Sequence, residues 1–315
     1  MKELQQIIQR VVENPAQPWA LATLVQTEGS TYRKPGARCL IDSQGATLGV
    51  LSGGCLEEEI GRHGKHVIGD SSPVVLSFDT RRLYGCDGRL NILIEPLLPA
   101  GKSGNVLTEI DRRLRQRESC RVRICFEGDR LGSELLGQDA FLVERAGVFI
   151  HTIAPPVRLL VFGAGPEIVP LARLAENLGW LVEHFSHPSG VEESFRPDDE
   201  TAAVVMNHHF GRDLLALDRL LPLQLRYVGL LGPRKRHAEL LQRLSEYQSI
   251  DVDATFENLF APAGLDIGSE TPEEIALSII SEVAAVLADR GGCSLRDRKI
   301  DIHATNIAVT GGEAA

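Results

Sequence analysis

The chain has 315 residues, of which 43% are hydrophobic and 24% charged, and its formal net charge is −10. This length predicts two domains, with a hydrophobic core large enough that the fold needs no disulfide bonds. The negative charge argues against nucleic-acid binding, and no apolar run approaches the roughly 18 residues of a membrane-spanning helix. No secretory signal opens the sequence, and its six cysteines form no CxxC pair. These features predict a cytoplasmic protein with reduced thiols.

The first half predicts a mixed α+β domain. Apolar residues at positions i, i+3, i+4, i+7 and i+8 predict an amphipathic helix from 4 to 12, which Asn14-Pro15 ends. A second helix is predicted to open at Leu56, after the turn Ser52-Gly53-Gly54-Cys55. The predicted strands, with a hairpin across Ser43-Gln44-Gly45, are 19–27, 38–42, 46–51, 74–78, 90–94, 121–126 and 141–144.

The second half predicts a Rossmann-like, doubly wound parallel sheet, because strands alternate with helices. Ala154-Pro155-Pro156 is interpreted as the joint, which sets domains at 1–154 and 157–290 and a tail at 291–315. In the last helix Thr271, Pro272 and Glu274 form a capping box with an N1 proline, and Gly291 is predicted to stop it. The other predicted elements are strands 158–162, 180–185, 202–206 and 227–231, and helices 167–177 and 237–244.

Cys55 is the first candidate for chemistry, since it follows a glycine pair at the start of a helix. Glycines let backbone N–H groups approach a ligand, and the helix N-terminus favours a thiolate, the form that binds metals or accepts sulfur. Three glutamates, 57–59, crowd the first turn and would repel an incoming anion. The alternative is a small packed residue beside a glycine turn.

Two further loops are candidates in the same half. Gly29 to Gly36 carries hydroxyls, Arg33 and Lys34, which suit a phosphate, although a solvated turn explains the same residues. This loop would face the same cleft as the Cys55 turn. Tyr84-Gly85-Cys86-Asp87-Gly88 places another cysteine between glycines, and the sequence leaves open whether Cys86 meets Cys55.

The second half contains a partial dinucleotide fingerprint. Gly163-Ala164-Gly165 follows an apolar strand and opens a helix, as in nucleotide-binding folds. Ile168 takes the third glycine position, however, and Ser186 stands near the place of the acidic residue that holds a ribose. A nucleotide-binding fold is predicted, without tight binding of NAD.

Other strand ends should line the same crevice. His208-His209 follows one strand, and the alternative for this pair is capping or support of a ligand residue. Arg234, Lys235 and Arg236 follow another strand and form the most anion-friendly cluster, unless they are a solvated helix end. Asp266 lies in a further turn, where it would contact a ligand or cap the turn.

Together these motifs resemble the XdhC/CoxI family of xanthine dehydrogenase accessory proteins over about residues 18–290. The turn SGGCLE at 52–57 and the block from Gly264 to Ala276 are its specific motifs. Cys86-Asp87-Gly88 stands where the family commonly has CGG, and Asn207-His208-His209 where Thr-His-Asn or Thr-His-Asp is frequent. The remaining matches include Thr27–Ser30, Pro35–Arg38, Glu95-Pro96, Phe162–Gly165, Val204–Met206 and Tyr227–Gly232.

The resemblance implies a chaperone that binds molybdenum cofactor, as molybdopterin or its dinucleotide form. It implies help in exchanging an oxo for a sulfido ligand with a cysteine desulfurase, and insertion into an apo molybdoenzyme of the xanthine dehydrogenase class. Cys55 would be the thiol that handles sulfur or molybdenum. The candidate cofactor-binding residues are Arg33, Gly53, Gly54, Cys55, Gly163, Gly165, His208, Arg234 and Asp266.

Two other functions compete with this one. An NAD(P)-dependent oxidoreductase would use the second domain, and a scaffold would dock a client without binding cofactor. We expect a homodimer, because a cleft between two modest domains would be better closed by a second copy of the chain. Membranes and nucleic acids are not expected partners.

Overall fold

A computed structural model describes residues 1–29, 31–54, 56–79, 88–97, 105–137, 140, 145–187, 190, 195–248 and 257–299. The predicted strand 141–144, Cys55, Cys86 and the end of the tail lie outside these residues. The chain divides into two compact units, Met1–Pro155 and Pro156–Ala315. Within the described residues, no helix is long and apolar enough to cross a membrane.

The first unit is built on a five-stranded antiparallel sheet in the order β3-β2-β1-β5-β4. A second sheet, in the order β7-β6-β8, has three antiparallel strands. The elements of this unit are α1 Lys2–Glu13, β1 Trp19–Gly29, β2 Arg38–Ile41, β3 Thr47–Leu48, α2 Glu57–Asp70, β4 Val74–Asp79, β5 Gly88–Leu97, α3 Val106–Arg115, β6 Cys120–Cys125, β7 Gly132–Leu135 and β8 Val148–Ile153.

The five-stranded sheet buries both of its faces. Leu21 and Leu93 point to a core that α1, α3 and the three-stranded sheet complete. Their neighbours Ala22 and Ile94 point to a second core, formed with α2. Burial on both faces explains why β1 is buried continuously from Trp19 to Val25, with Thr23 as the one polar residue of this run, instead of alternating.

The predicted elements of this unit form where they lie within the described residues, with small differences in length. Val12 is exposed although its spacing predicted the apolar face of α1. The prediction missed α3, whose capping box joins Asn105 and Thr108, and the short strands β7 and β8. Strand β7 has few apolar residues, whereas β8 and α3 contribute apolar side chains to the core beside the larger sheet, and this packing stabilises all three elements.

The second unit is a parallel five-stranded sheet in the order β10-β9-β11-β12-β13. Helices α4 and α7 pack on one face, and α5 and α6 on the other, which confirms the predicted doubly wound fold. The elements are β9 Arg158–Gly163, α4 Ile168–Asn177, β10 Leu181–Phe185, β11 Thr201–Met206, α5 Phe210–Leu220, β12 Tyr227–Leu230, α6 Arg234–Gln248, β13 Leu259–Phe260 and α7 Pro272–Leu287.

Two details of this unit differ from the prediction. Helix α5 and strand β13 were not predicted. Helix α7 begins with the predicted capping box at Thr271, but it ends at Leu287, before Gly291. Asp289 takes the left-handed conformation, with φ 53°, and its N–H bonds to the carbonyl of Val286. The prediction that Gly291 stops the helix was wrong, because an aspartate also tolerates this conformation.

Candidate functional site

The second unit holds a crevice of about 540 Å³. It lies beyond the carboxyl ends of β9, β11 and β12, where the strand order reverses between β9 and β11. Open α/β sheets bind their ligands at such a switch point, and this volume is in the range of small-molecule sites. The lining residues are Glu167, His208, Leu231, Gly232, Pro233, Ala263, Gly264, Leu265, Asp266, Ile267, Gly268, Ser269, Ile275 and Ser278.

The predicted glycines at the end of β9 both sit in crowded positions. A Cβ at Gly163 would lie 2.5 Å from the carbonyl oxygen of Met206, on the adjacent strand. A Cβ at Gly165 would lie 2.4 Å from Oε2 of Glu167 and 3.0 Å from Nε2 of His208. The backbone of the adjacent strand therefore excludes a side chain at Gly163, whereas the side chains of Glu167 and His208 occupy the space beside Gly165.

Glu167 is the residue that the sequence analysis did not single out. It lies just before α4 and is 8% exposed. Its Oε2 is buried and makes no hydrogen bond within the described part of the chain, and it lies 3.5 Å from Nε2 of His208. An acidic residue after Gly-x-Gly-Pro was the available signal, because it stands where this fold usually offers N–H groups.

The two neighbouring histidines have different roles. His208 has φ 52° and lines the crevice. The ring Nδ1 of His209 accepts a hydrogen bond from the Arg212 N–H at 3.4 Å and caps α5. The capping interpretation thus holds for His209 alone.

The basic cluster at the start of α6 is divided between the interior and the surface. Arg236 forms an ion pair with Asp213, which is fully buried and also accepts hydrogen bonds from the backbone and side chain of Asn207. Arg234 and Lys235 are exposed, and neither is among the residues that line the crevice. An anion-binding role for Arg234 stays a prediction.

Asp266 lies in a loop, 263–269, that forms one wall of the crevice. Glu282 on α7 holds the start of this loop, accepting hydrogen bonds from the Gly264 N–H and the Tyr227 hydroxyl, each at 2.7 Å. Burial and the adjacent Glu282 carboxylate raise the pKa of Tyr227, so its hydroxyl stays a donor. Ser278 donates to the carbonyl of Leu265 at 2.5 Å.

In the first unit, Glu57 closes the predicted glycine turn. Its carboxylate accepts hydrogen bonds from the N–H groups of Leu51, Ser52 and Leu56 and from the Ser52 hydroxyl. Burial opposes ionisation, but these hydrogen bonds outweigh it and lower the pKa of Glu57. Glu57 thus binds the turn itself, a role that the sequence did not predict, and the repulsion of an incoming anion stays a prediction.

The glycine turn and the loop before β2 are adjacent, as their spacing suggested. Gly53 and Gly54 have φ 81° and 108°, and a Cβ at Gly53 would lie 3.6 Å from the Tyr32 ring. Tyr32 is 68% exposed. Arg33 forms a two-point ion pair with Glu3 of α1, so its guanidinium already has an acidic partner. Gly53 therefore lies next to Tyr32, whereas the Arg33 side chain is held by Glu3.

A buried polar cluster supports the same loop. Arg38 donates to Nδ1 of His151 at 2.9 Å and to the carbonyl of Gly36 at 3.3 Å. Glu95 accepts hydrogen bonds from the N–H and hydroxyl of Ser133, and burial raises its pKa although Ser133 and Arg38 oppose this. Burial and the Arg38 charge lower the pKa of His151 to about 4. A guanidinium can only donate, so Nδ1 of His151 must accept this hydrogen bond with its lone pair, and the imidazole is therefore neutral.

The fold and crevice define the class: a two-unit α/β protein with a doubly wound second unit whose crevice suits a small molecule. Residues 159–283 match the family described as XdhC Rossmann domain, and residues 14–79 match the XdhC and CoxI family. The chain belongs to the XdhC and CoxI family.

Relatives of this chain cover most of its length. A Bacillus subtilis protein, described as a probable subunit of xanthine dehydrogenase, is 29% identical, over 84% of this chain and 91% of its own. The Escherichia coli molybdenum cofactor insertion chaperone PaoD is 27% identical, over 84% and 82%. A crystal structure described as a xanthine dehydrogenase from Bacillus halodurans has a TM-score of 0.75 and 25% identity, over 92% of this chain and 97% of that one.

Proposed function

We propose that this protein is a maturation chaperone that carries molybdenum cofactor to a molybdoenzyme of the xanthine dehydrogenase class. The observation that carries the proposal is the crevice at the switch point of the second unit, in a chain similar over most of its length to a molybdenum cofactor insertion chaperone. The cofactor is cargo in this proposal, so the chain needs a site that binds it and a surface that releases it.

The described residues suit a large, polar cargo. The crevice offers a carboxylate at Glu167, an imidazole at His208 and a second carboxylate at Asp266, around an apolar floor that includes Leu231. Its volume of about 540 Å³ is adequate for a pterin with its substituents. Gly163, Gly165 and Arg234 are proposed as further contacts of the part of the cofactor that lies in this crevice.

Cys55 is proposed as the thiol that holds molybdenum or sulfur, with Arg33, Gly53 and Gly54 nearby. A soft thiolate suits this metal. Two other cysteines, Cys39 and Cys120, are buried, and burial raises the pKa of each, in Cys39 to about 12, so neither supplies a thiolate at neutral pH.

The finer steps are also proposals. A cysteine desulfurase would deliver sulfur as a persulfide, two electrons from a thiol reductant would bring it to the level of sulfide, and the oxo ligand of molybdenum would leave as water. The chaperone would then insert the cofactor, as molybdopterin or its dinucleotide form, into the apo molybdoenzyme. We propose that it works in the cytoplasm and as a homodimer.

The test is the cofactor content of the purified protein. The wild type, Cys55→Ala and Cys293→Ala are prepared without oxygen from a host that makes molybdopterin, and molybdenum and oxidised pterin are measured by elemental mass spectrometry and fluorescence. Cys293 is an exposed cysteine of the second unit and serves as the control. We expect both components in the wild type and in Cys293→Ala, and their loss in Cys55→Ala together with loss of client activation.

A wild type without molybdenum and pterin would refute the carrier function. An NAD(P)-dependent oxidoreductase is then the next candidate, because the crevice lies where doubly wound sheets bind nucleotides. Titration with NAD(P), followed by the fluorescence of Trp180 just before β10, would detect it. Client docking that survives both the loss of Cys55 and charge reversal at Arg234 would favour a scaffold.

A further inference from the structure

Glu167 is a buried acidic residue that lines the crevice. It is 8% exposed, and its Oε2 is buried without a hydrogen-bond partner in the described ranges, yet the residue lines the crevice. Leaving a buried carboxylate oxygen without a donor is unfavourable, so such a group needs an explanation. His208 is close, at 3.5 Å from Nε2 to Oε2, but this is longer than a hydrogen bond.

The surrounding turn excludes one class of ligand group. In dinucleotide-binding folds the first strand-to-helix turn presents free N–H groups to a phosphate. Here Pro166 has no N–H, and the carboxylate of Glu167 lies beside Gly165, where an added Cβ would be 2.4 Å from Oε2. An anion at this position would meet a fixed negative charge at short range. The turn is therefore unsuited to phosphate and suited to a hydrogen-bond donor.

We propose that Glu167 accepts hydrogen bonds from a pair of neutral donors on the bound molecule and so sets its orientation in the crevice. Two parts of a cofactor supply such donors: the amino and ring N–H edge of a pterin, and the hydroxyl pair of a ribose in a dinucleotide form. This inference rests on the proposed carrier function for the identity of the ligand. The phosphate then lies away from Glu167.

His208 is the second member of this site. Its imidazole lies next to the carboxylate, and its left-handed backbone, with φ 52°, turns it into the crevice, whereas its neighbour His209 caps α5. The Asp213–Asn207 hydrogen bonds hold the residue before it. Glu167 and His208 thus reach the ligand from the ends of β9 and β11, the two strands that flank the switch point.

The test uses the full chain from a host that lacks molybdopterin, with defined probes. Calorimetry measures the dissociation constants of pterin and of lumazine, which lacks the amino group, and of cytidine and its dideoxy analogue. Glu167→Gln is the variant, and Glu176→Gln is the matched control, because it makes the same change of charge on the exposed side of the same helix. Circular dichroism verifies that each variant is folded.

We expect the wild type to bind the donor-bearing probe of one pair at least about tenfold more tightly than its analogue, the size of one hydrogen bond to a charged group. Glu167→Gln should abolish this difference, and Glu176→Gln should retain it. A difference between pterin and lumazine assigns the site to the ring edge, and one between cytidine and its dideoxy analogue assigns it to the ribose.

Three results would overturn the inference: unchanged discrimination in Glu167→Gln, no binding of any probe, or inorganic phosphate that competes with the bound probe in a Glu167-dependent manner. Its failure is separable from that of the carrier function. Wild-type protein that contains molybdenum and pterin, with unchanged discrimination in Glu167→Gln, refutes this inference alone. Protein without either component that still binds cytidine through Glu167 refutes the carrier function and supports the site.

Discussion

Removal of the Glu57 charge should destabilise the turn 51–54 more than removal of an ordinary charge in the first turn of a helix would. The carboxylate accepts hydrogen bonds from the N–H groups of Leu51 and Ser52 at 2.9 Å, from the Ser52 hydroxyl at 2.7 Å and from the Leu56 N–H at 3.2 Å. In Glu57→Gln the side-chain oxygen can still accept the hydrogen bonds that one carboxylate oxygen accepts. The NH₂ group replaces the other oxygen, and it is a donor that faces two further donors.

The expected loss is about 2 kcal/mol of unfolding free energy, since a hydrogen bond to a charged group contributes about 1.5–3 kcal/mol and this carboxyl is only half-buried. For a unit of this size that lowers Tm by about 4–8 °C. Glu58→Gln is the control, because it removes a neighbouring, exposed charge from the same helix turn. Thermal unfolding at neutral pH, followed by circular dichroism, measures the difference.

The pH dependence gives an independent check. The folded pKa of Glu57 is lowered, so its contribution is complete above the unfolded value near 4.3 and disappears as pH falls through the folded value. The Tm gap between the wild type and Glu57→Gln should therefore close in acid. A Glu57→Gln protein as stable as Glu58→Gln, or a gap that persists at the lowest pH, would refute the assigned role. Under the proposed function, client activation should also fall in Glu57→Gln.

Two further outcomes are expected. The folded pKa of His151 is about 4, below its unfolded value near 6.5, so the stability that its neutral form contributes, at most about 3 kcal/mol, is lost as pH falls between these values. Urea titrations at several pH values give the unfolding free energy, which should fall less steeply with decreasing pH in His151→Gln than in the wild type. An identical dependence on pH would contradict the burial argument. Tyr227→Phe removes the donor to Glu282 and should lower the unfolding free energy by about 1–2 kcal/mol, whereas Tyr32→Phe, at an exposed ring, should be neutral in the same titration.

Local patterns were sufficient for the parts of the fold with a strong signal. Apolar spacing located α1, and the capping box at Thr271 located the start of α7, because both depend on residues within one or two turns. The alternation of strands and helices in the second half predicted the doubly wound sheet, because parallel strands need crossover connections that place helices on the faces of the sheet. By contrast, β7 is only four residues long, and β8 pairs with β6 across a long separation in sequence, as in Cys120 opposite Ile153.

The candidate site was predicted in part. The strand-end rule placed His208 in the crevice, since parallel strands bring their carboxyl ends to one edge, and the further turn that carries Asp266 also lines it. It included Arg234, which is exposed and outside the lining, and it passed over Glu167. A sequence does not state which side chains a helix start turns inward, because that depends on the neighbouring strand.

The sequence by itself determined the class of fold and the family motifs, because hydrophobic periodicity, capping and glycine spacing act over short stretches of chain. The tertiary structure decided how each charge is used. Arg236 pairs with buried Asp213, and Glu57 binds its own turn. Glu167 lies beside His208, and its Oε2 makes no hydrogen bond within the described part of the chain. These outcomes differ because the free energy of a charge depends on its burial and on partners that only folding brings within hydrogen-bonding distance.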